Sequence, residues 1–198
     1  MAERADLDRR RLLGTLAAGA LAMLAPGHAH GEPGVIPYHG GRISPPVPMP
    51  ALPLQLADGT STDLATLLRG RATALHLMFT GCTTTCPIQG VVFSRVQGLL
   101  RDAATRRVQL LSLSINPLED TPAAMRAWLA RFAAGPGWIA ARTAPEGLDA
   151  IARLFGAGSG SLADHATSVS LINTRAMLVW RTYDLPSPES LADMLNRA

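Results

Sequence analysis

This 198-residue chain contains only two cysteines, no lysine and no apolar run of membrane-spanning length. Two cysteines allow a single bridge, one redox pair or part of one metal site. All 18 basic residues are arginines, and no arginine block follows the N-terminal segment, so neither charge nor motif points to nucleic acid. The apolar segment Leu12–Ala25 is short for a membrane span, which needs about 20 residues. No paired-carboxylate pattern and no phosphate-cradling glycine loop occur. The chemistry therefore has to come from the cysteines and whatever the fold brings to them.

The N-terminus defines the compartment in which those cysteines are read. Arg9–Arg10–Arg11 precede Leu12–Ala25, and Gly27–His28–Ala29 offers small residues for cleavage after Ala29. This is the order of an export signal. Asp8–Arg9–Arg10–Arg11–Leu12–Leu13 resembles the twin-arginine type, with Asp where Ser or Thr is usual. Residues 1–29 are thus expected to direct export to the bacterial periplasm, or to stay as an anchor at the inner membrane. Residues 30–50, rich in Gly, Pro and His, read as a flexible lead. Residues 51–198 are long enough for one domain with its own core and too short to require two.

The centre of the chain is Leu75–Gly90. Ala74–Phe79 is an apolar run too short for a globular helix, so it reads as a buried strand. Pro87 suits the first turn of a helix, and Val91, Val92, Val96, Leu99 and Leu100 follow at helical spacing. Cys82 and Cys86 therefore lie where a strand end feeds a helix N-terminus, an environment that lowers a thiol's pKa. Three residues separate them, where a thioredoxin-like redox pair has two. The spacing is compatible with a redox pair and leans toward chelation; a structural disulfide is the plainer alternative.

Further along, Leu52, Leu54 and Leu56 alternate with other residues before the turn at Asp58–Gly59, reading as an edge strand that enters a hairpin. Val108–Ile115 is a second apolar strand, and Thr121–Pro122 caps a helix carrying Met125, Trp128 and Phe132. A short strand from Trp138 and a helix from Pro145 follow. Thr167–Asn173 and Met177–Thr182 read as a hairpin, and Ser187–Pro188 opens a last helix. The order implies an α/β domain, thioredoxin-like, with a central mixed sheet flanked by helices and a C-terminal β-hairpin and final helix. In such sheets ligands bind outside the strand carboxyl ends, where Cys82 and Cys86 fall. Trp128, Trp138, Phe132, Met78 and His76 read as packing residues.

His165 precedes the hairpin after a loop long enough to reach the cysteine turn. Conventional thioredoxins hold a cis-proline in the corresponding place, yet no proline lies between Glu146 and Pro186. A histidine there would complete a Cys2His set, which suits Cu(I), Cu(II) or Zn(II). Asp164 is a candidate to orient His165 from behind.

These features together resemble the Sco/SenC family of copper-binding thioredoxin-fold proteins. Phe79–Thr80–Gly81–Cys82–Thr83–Thr84–Thr85–Cys86–Pro87 matches its FTxCxxxCP signature, and Leu113–Pro122 its second signature. The resemblance runs from about Pro45 to the end. It implies Cys82, Cys86 and His165 as ligands of Cu(I) and/or Cu(II). It also implies a role toward the dinuclear copper centre of cytochrome c oxidase or another periplasmic copper protein: copper delivery, or reduction of that partner's cysteines by a Cys82–Cys86 redox pair. Loading would then depend on a periplasmic thiol reductant. Asn116 departs from the family's usual Asp.

Overall fold

The computed structural model describes residues 40–100, 107–156 and 167–198, and among these eight strands form one mixed sheet. In chain order the strands are β1 (Gly40–Pro48), β2 (Pro53–Leu56), β3 (Ser61–Asp63), β4 (Ala72–Met78), β5 (Val108–Ser114), β6 (Trp138–Thr143), β7 (Val169–Ile172) and β8 (Met177–Thr182). The helices are α1 (Leu64–Leu68), α2 (Thr85–Leu99), α3 (Pro122–Arg131), α4 (Leu148–Phe155) and α5 (Pro188–Arg197). Across the sheet the strands run β1-β8-β7-β4-β5-β6-β2-β3.

The thioredoxin-like centre follows from two units. β4 and β5 are parallel and joined through α2, while β7 runs antiparallel to β4 and β8 antiparallel to β7. β4 is buried at every position because helices cover both faces. Its side chains alternate accordingly: Ala72, Ala74 and Met78 join the core shared with α2, α3 and α5, and Leu75 and Leu77 join the core shared with α1 and α4. His76 lies on the first of these faces. Its Nε2 bonds the Ser112 hydroxyl at 2.7 Å, which also accepts the Trp138 indole N–H, and its ring lies 4.3 Å from that of Phe93.

Local signals place the helix starts. The Asp63, Thr121 and Ser187 side chains each accept a backbone N–H of the first turn, and Pro122 and Pro188 follow two of these caps. Pro145 opens a single 3₁₀ turn, and the α-helix proper begins at Leu148.

Two expectations need correction. The composition of residues 30–50 predicts a flexible lead, but Gly40–Pro48 is a strand paired with β8. Its prolines fall where they cost the sheet little. Pro45 and Pro46 sit in the irregular stretch between the Arg42 and Val47 pairings, on an edge strand that needs only one row of ladder bonds. The strand over Leu52–Leu56 is also not an edge, because β2 lies between β6 and β3. The export segment 1–29 and residues 30–39 lie outside the described residues.

Candidate metal and thiol site

The site is built at the carboxyl end of β4. After Met78 the chain turns through Phe79–Gly81, and the Cys82 N–H donates to the Phe79 carbonyl at 3.1 Å. α2 starts at Thr85, two residues before Pro87, so Cys86 is the second residue of the helix and Pro87 the third. A proline is tolerated there because first-turn N–H groups have no acceptor within the helix.

Thr84, at the N-cap, makes no capping bond with its side chain. A sulfur takes that place: the Cys86 N–H donates to Cys82 Sγ at 3.3 Å, and Thr84 Oγ1 lies 3.9 Å from the same sulfur. Neither cysteine is in a disulfide. The spacing that sequence alone could assign to a bridge therefore holds two separate sulfurs.

Position makes the two thiols unequal. For Cys82, burial pushes the pKa up, but hydrogen bonds from the Cys86 thiol, the Cys86 and Thr84 backbone and the Thr84 hydroxyl outweigh it. The net effect holds the thiol below its usual value. For Cys86, burial is the largest cause, and donating to Cys82 adds to it; the thiol is pushed up to about 12. The outer sulfur is thus the readily ionised one, and the inner sulfur keeps its proton at neutral pH.

Asp120 holds this turn in place, a role the sequence reading did not assign. Its buried carboxylate accepts from the Thr80 N–H at 2.9 Å, the Thr80 hydroxyl at 2.6 Å and the Ser114 hydroxyl at 2.5 Å. It thereby ties the segment leading into Cys82 to the end of β5. Its signal in the sequence is an acidic residue directly before the Thr121–Pro122 helix start. Asn116 shapes the same loop: its Nδ2 donates to Glu119 Oε2 at 2.9 Å, and its carbonyl accepts the Glu119 and Asp120 N–H groups. An aspartate at 116 would set a second carboxylate against Glu119.

Of the predicted site residues, Cys82 and Cys86 are brought together; His165 and Asp164 lie outside the described residues. Among the described residues no group of three or more His, Cys, Asp or Glu is arranged to hold a metal ion. Met78 is fully buried core. No helix among the described residues is long and apolar enough to cross a membrane.

A family model described as SCO1/SenC matches residues 54–198. No curated protein matches the chain by sequence. Solved structures share the fold. ScoI of Bradyrhizobium japonicum with copper bound is 22% identical at a TM-score of 0.60, covering 80% of this chain and 98% of that one. A SCO1/SenC family lipoprotein of Bacillus anthracis is 21% identical at a TM-score of 0.64, covering 78% and 98%. BsSco, described as a Sco-family cytochrome c oxidase assembly protein with a disulfide switch, is 17% identical at a TM-score of 0.62, covering 83% and 95%.

Proposed function

The chain belongs to the SCO1/SenC family, and from that premise we propose that it is a periplasmic copper chaperone. In this reading Cys82, Cys86 and His165 take Cu(I) or Cu(II) as cargo, with Asp164 behind the imidazole. The cargo passes to the dinuclear copper centre of cytochrome c oxidase or to another periplasmic copper protein. Residues 1–29 act as the export signal or as a retained inner-membrane anchor.

The observation that carries the reading is the pair of adjacent sulfurs at the mouth of α2, not joined in a disulfide, with the Cys82 thiol held below its usual pKa. Thiolates select soft metals, and a three-ligand set leaves a position open for a recipient's ligand. Loading must displace the Cys86 proton, which solvent at neutral pH does not remove, so uptake releases protons. Oxidation of the pair to a disulfide removes both thiolates and frees the cargo, so a periplasmic thiol reductant is needed to keep the protein competent.

The thiol asymmetry also favours a second reading, a thiol–disulfide reductase. The Cys82 thiolate attacks a partner disulfide, forming a mixed disulfide and releasing one partner thiolate. Cys86 then loses its proton and attacks the Cys82 sulfur, closing the Cys82–Cys86 disulfide and releasing the second partner thiol.

Parallel Cu(I) and Cu(II) titrations of the reduced protein separate these readings when repeated on Cys82→Ala, Cys86→Ala and His165→Ala. Chaperoning predicts that each substitution sharply weakens uptake and that His165→Ala changes the visible absorption of the Cu(II) form. Unchanged affinity and spectrum in His165→Ala would remove that residue from the site. Retained disulfide reduction by His165→Ala, with no copper uptake by the unsubstituted protein, would leave only the reductase.

A further inference from the structure

The helix that holds Cys86 in its first turn carries, along its C-terminal half from Val91 onward, an apolar and positively charged groove. Ile88 and Val91 are 60% and 55% exposed. With Arg95 and Gly98 they lie at intervals of three and four residues, forming one stripe on the solvent side of the helix. The stripe runs about 15 Å from Ile88, two residues past Cys86. Beside it, between α2 and the end of α3, is a groove of about 500 Å³ lined by Val91, Arg95, Gly98, Arg131 and Phe132.

This groove is a built surface. A Cβ at Gly90 would lie 2.4 Å from Phe132 Cζ, so only glycine lets that ring approach the helix so closely. The Ser94 hydroxyl donates to the Phe132 carbonyl at 2.9 Å, and Gln97 bonds the Ala133 carbonyl at 3.1 Å and the Gly135 N–H at 2.7 Å. The wall is therefore fixed before anything binds. At Gly98, by contrast, a Cβ would meet nothing within 4 Å. A glycine near a helix end with open space around it gives up helix stability that alanine would supply, and it keeps the groove floor bare.

The charge is one-sided. Neither α2 nor α3 contains a carboxylate, and among the described residues neither Arg95 nor Arg131 has an ion pair. Arg131 lies over the Phe132 ring at 5.8 Å, which sets its charge at the groove wall.

We propose that this groove docks the protein that exchanges copper or thiols with Cys82 and Cys86, through an acidic segment of that partner carrying an apolar side chain between its carboxylates. The inference rests on the proposed function for the partner's purpose and on the groove for its chemistry. A shallow, open groove that sets Val91 and Phe132 among two guanidiniums fits a peptide segment offering apolar and acidic side chains together. An anionic membrane surface would engage the two charges and offer nothing specific to Val91 and Phe132.

The test uses the reduced protein and two probes: the apo soluble copper-centre domain of cytochrome c oxidase, and phosphatidylglycerol-containing vesicles. Binding to the domain should weaken with added salt. It should weaken about tenfold or more in Arg95→Glu/Arg131→Glu and in Gly98→Glu, and be retained in Arg95→Lys/Arg131→Lys. Copper titration of all these variants should match the unsubstituted protein. Unchanged domain binding in the charge-reversed variants overturns the proposal, as does binding to the vesicles alone or to neither probe. Charge-dependent docking without copper uptake would leave the groove standing and defeat the chaperone reading instead.

Discussion

Removing the Asp120 carboxylate tests whether the cysteine turn is held from β5. In Asp120→Ala three donors lose a buried, charged acceptor: the Thr80 N–H, the Thr80 hydroxyl and the Ser114 hydroxyl. A hydrogen bond to a charged group is worth about 1.5–3 kcal/mol net. The three share one acceptor and are not additive, and the two hydroxyls can rotate toward other partners. The Thr80 N–H cannot. A loss of about 3 kcal/mol is expected, which for a domain of this size lowers Tm by roughly 6–12 °C. Asp120→Asn keeps the shape and one acceptor oxygen, so about half that loss is expected. Urea unfolding gives the stability. A second readout reports on the site: Cys86 is 0% exposed, so its alkylation in the folded state requires the turn to open. Iodoacetamide should modify Cys86 faster in Asp120→Ala than in the unsubstituted protein under native conditions. If stability stays within about 0.5 kcal/mol of the unsubstituted protein, or if Cys86 protection is unchanged, the turn is held by something other than this carboxylate.

The thiols yield two further expectations. In the folded, reduced protein at neutral pH, alkylation followed by peptide mapping should find Cys82 modified well before Cys86; equal rates would contradict the opposite shifts of the two groups. Below its usual value of 9.0 the Cys86 thiol is protonated in both folded and unfolded chains, whereas between 9.0 and about 12 only the unfolded chain ionises it. Stability should therefore fall as pH rises through that window, and Cys86→Ala should flatten the decline; an identical slope in the variant would show that Cys86 titrates normally.

Much of the architecture was legible because its signals are local. Thr121–Pro122 and Ser187–Pro188 mark helix starts whose capping bonds lie within three residues. The apolar run around Ala74–Met78 reads as a buried strand wherever it is placed, and the hairpin over Val169–Thr182 followed from two strand-like runs with a short connection. Gly40–Pro48 departs from its local signals for the same reason: glycine and proline indicate loop locally, and only the pairing with β8, over 120 residues further on, makes that stretch a strand.

At the site, two thiols stand at a helix mouth for a local reason: strand, turn and helix are adjacent along the chain. What separates those thiols chemically came from three dimensions, since the depth of Cys86 depends on how α2 settles against the sheet. The clamp of Asp120 on Thr80 joins residues forty apart, and the groove needs Phe132, at the end of α3, to meet Gly90 inside α2. Side-chain type and spacing carry information over a turn or two of chain. Burial, charge balance and shape arise only when distant segments exclude water together, and these were decided by the tertiary structure.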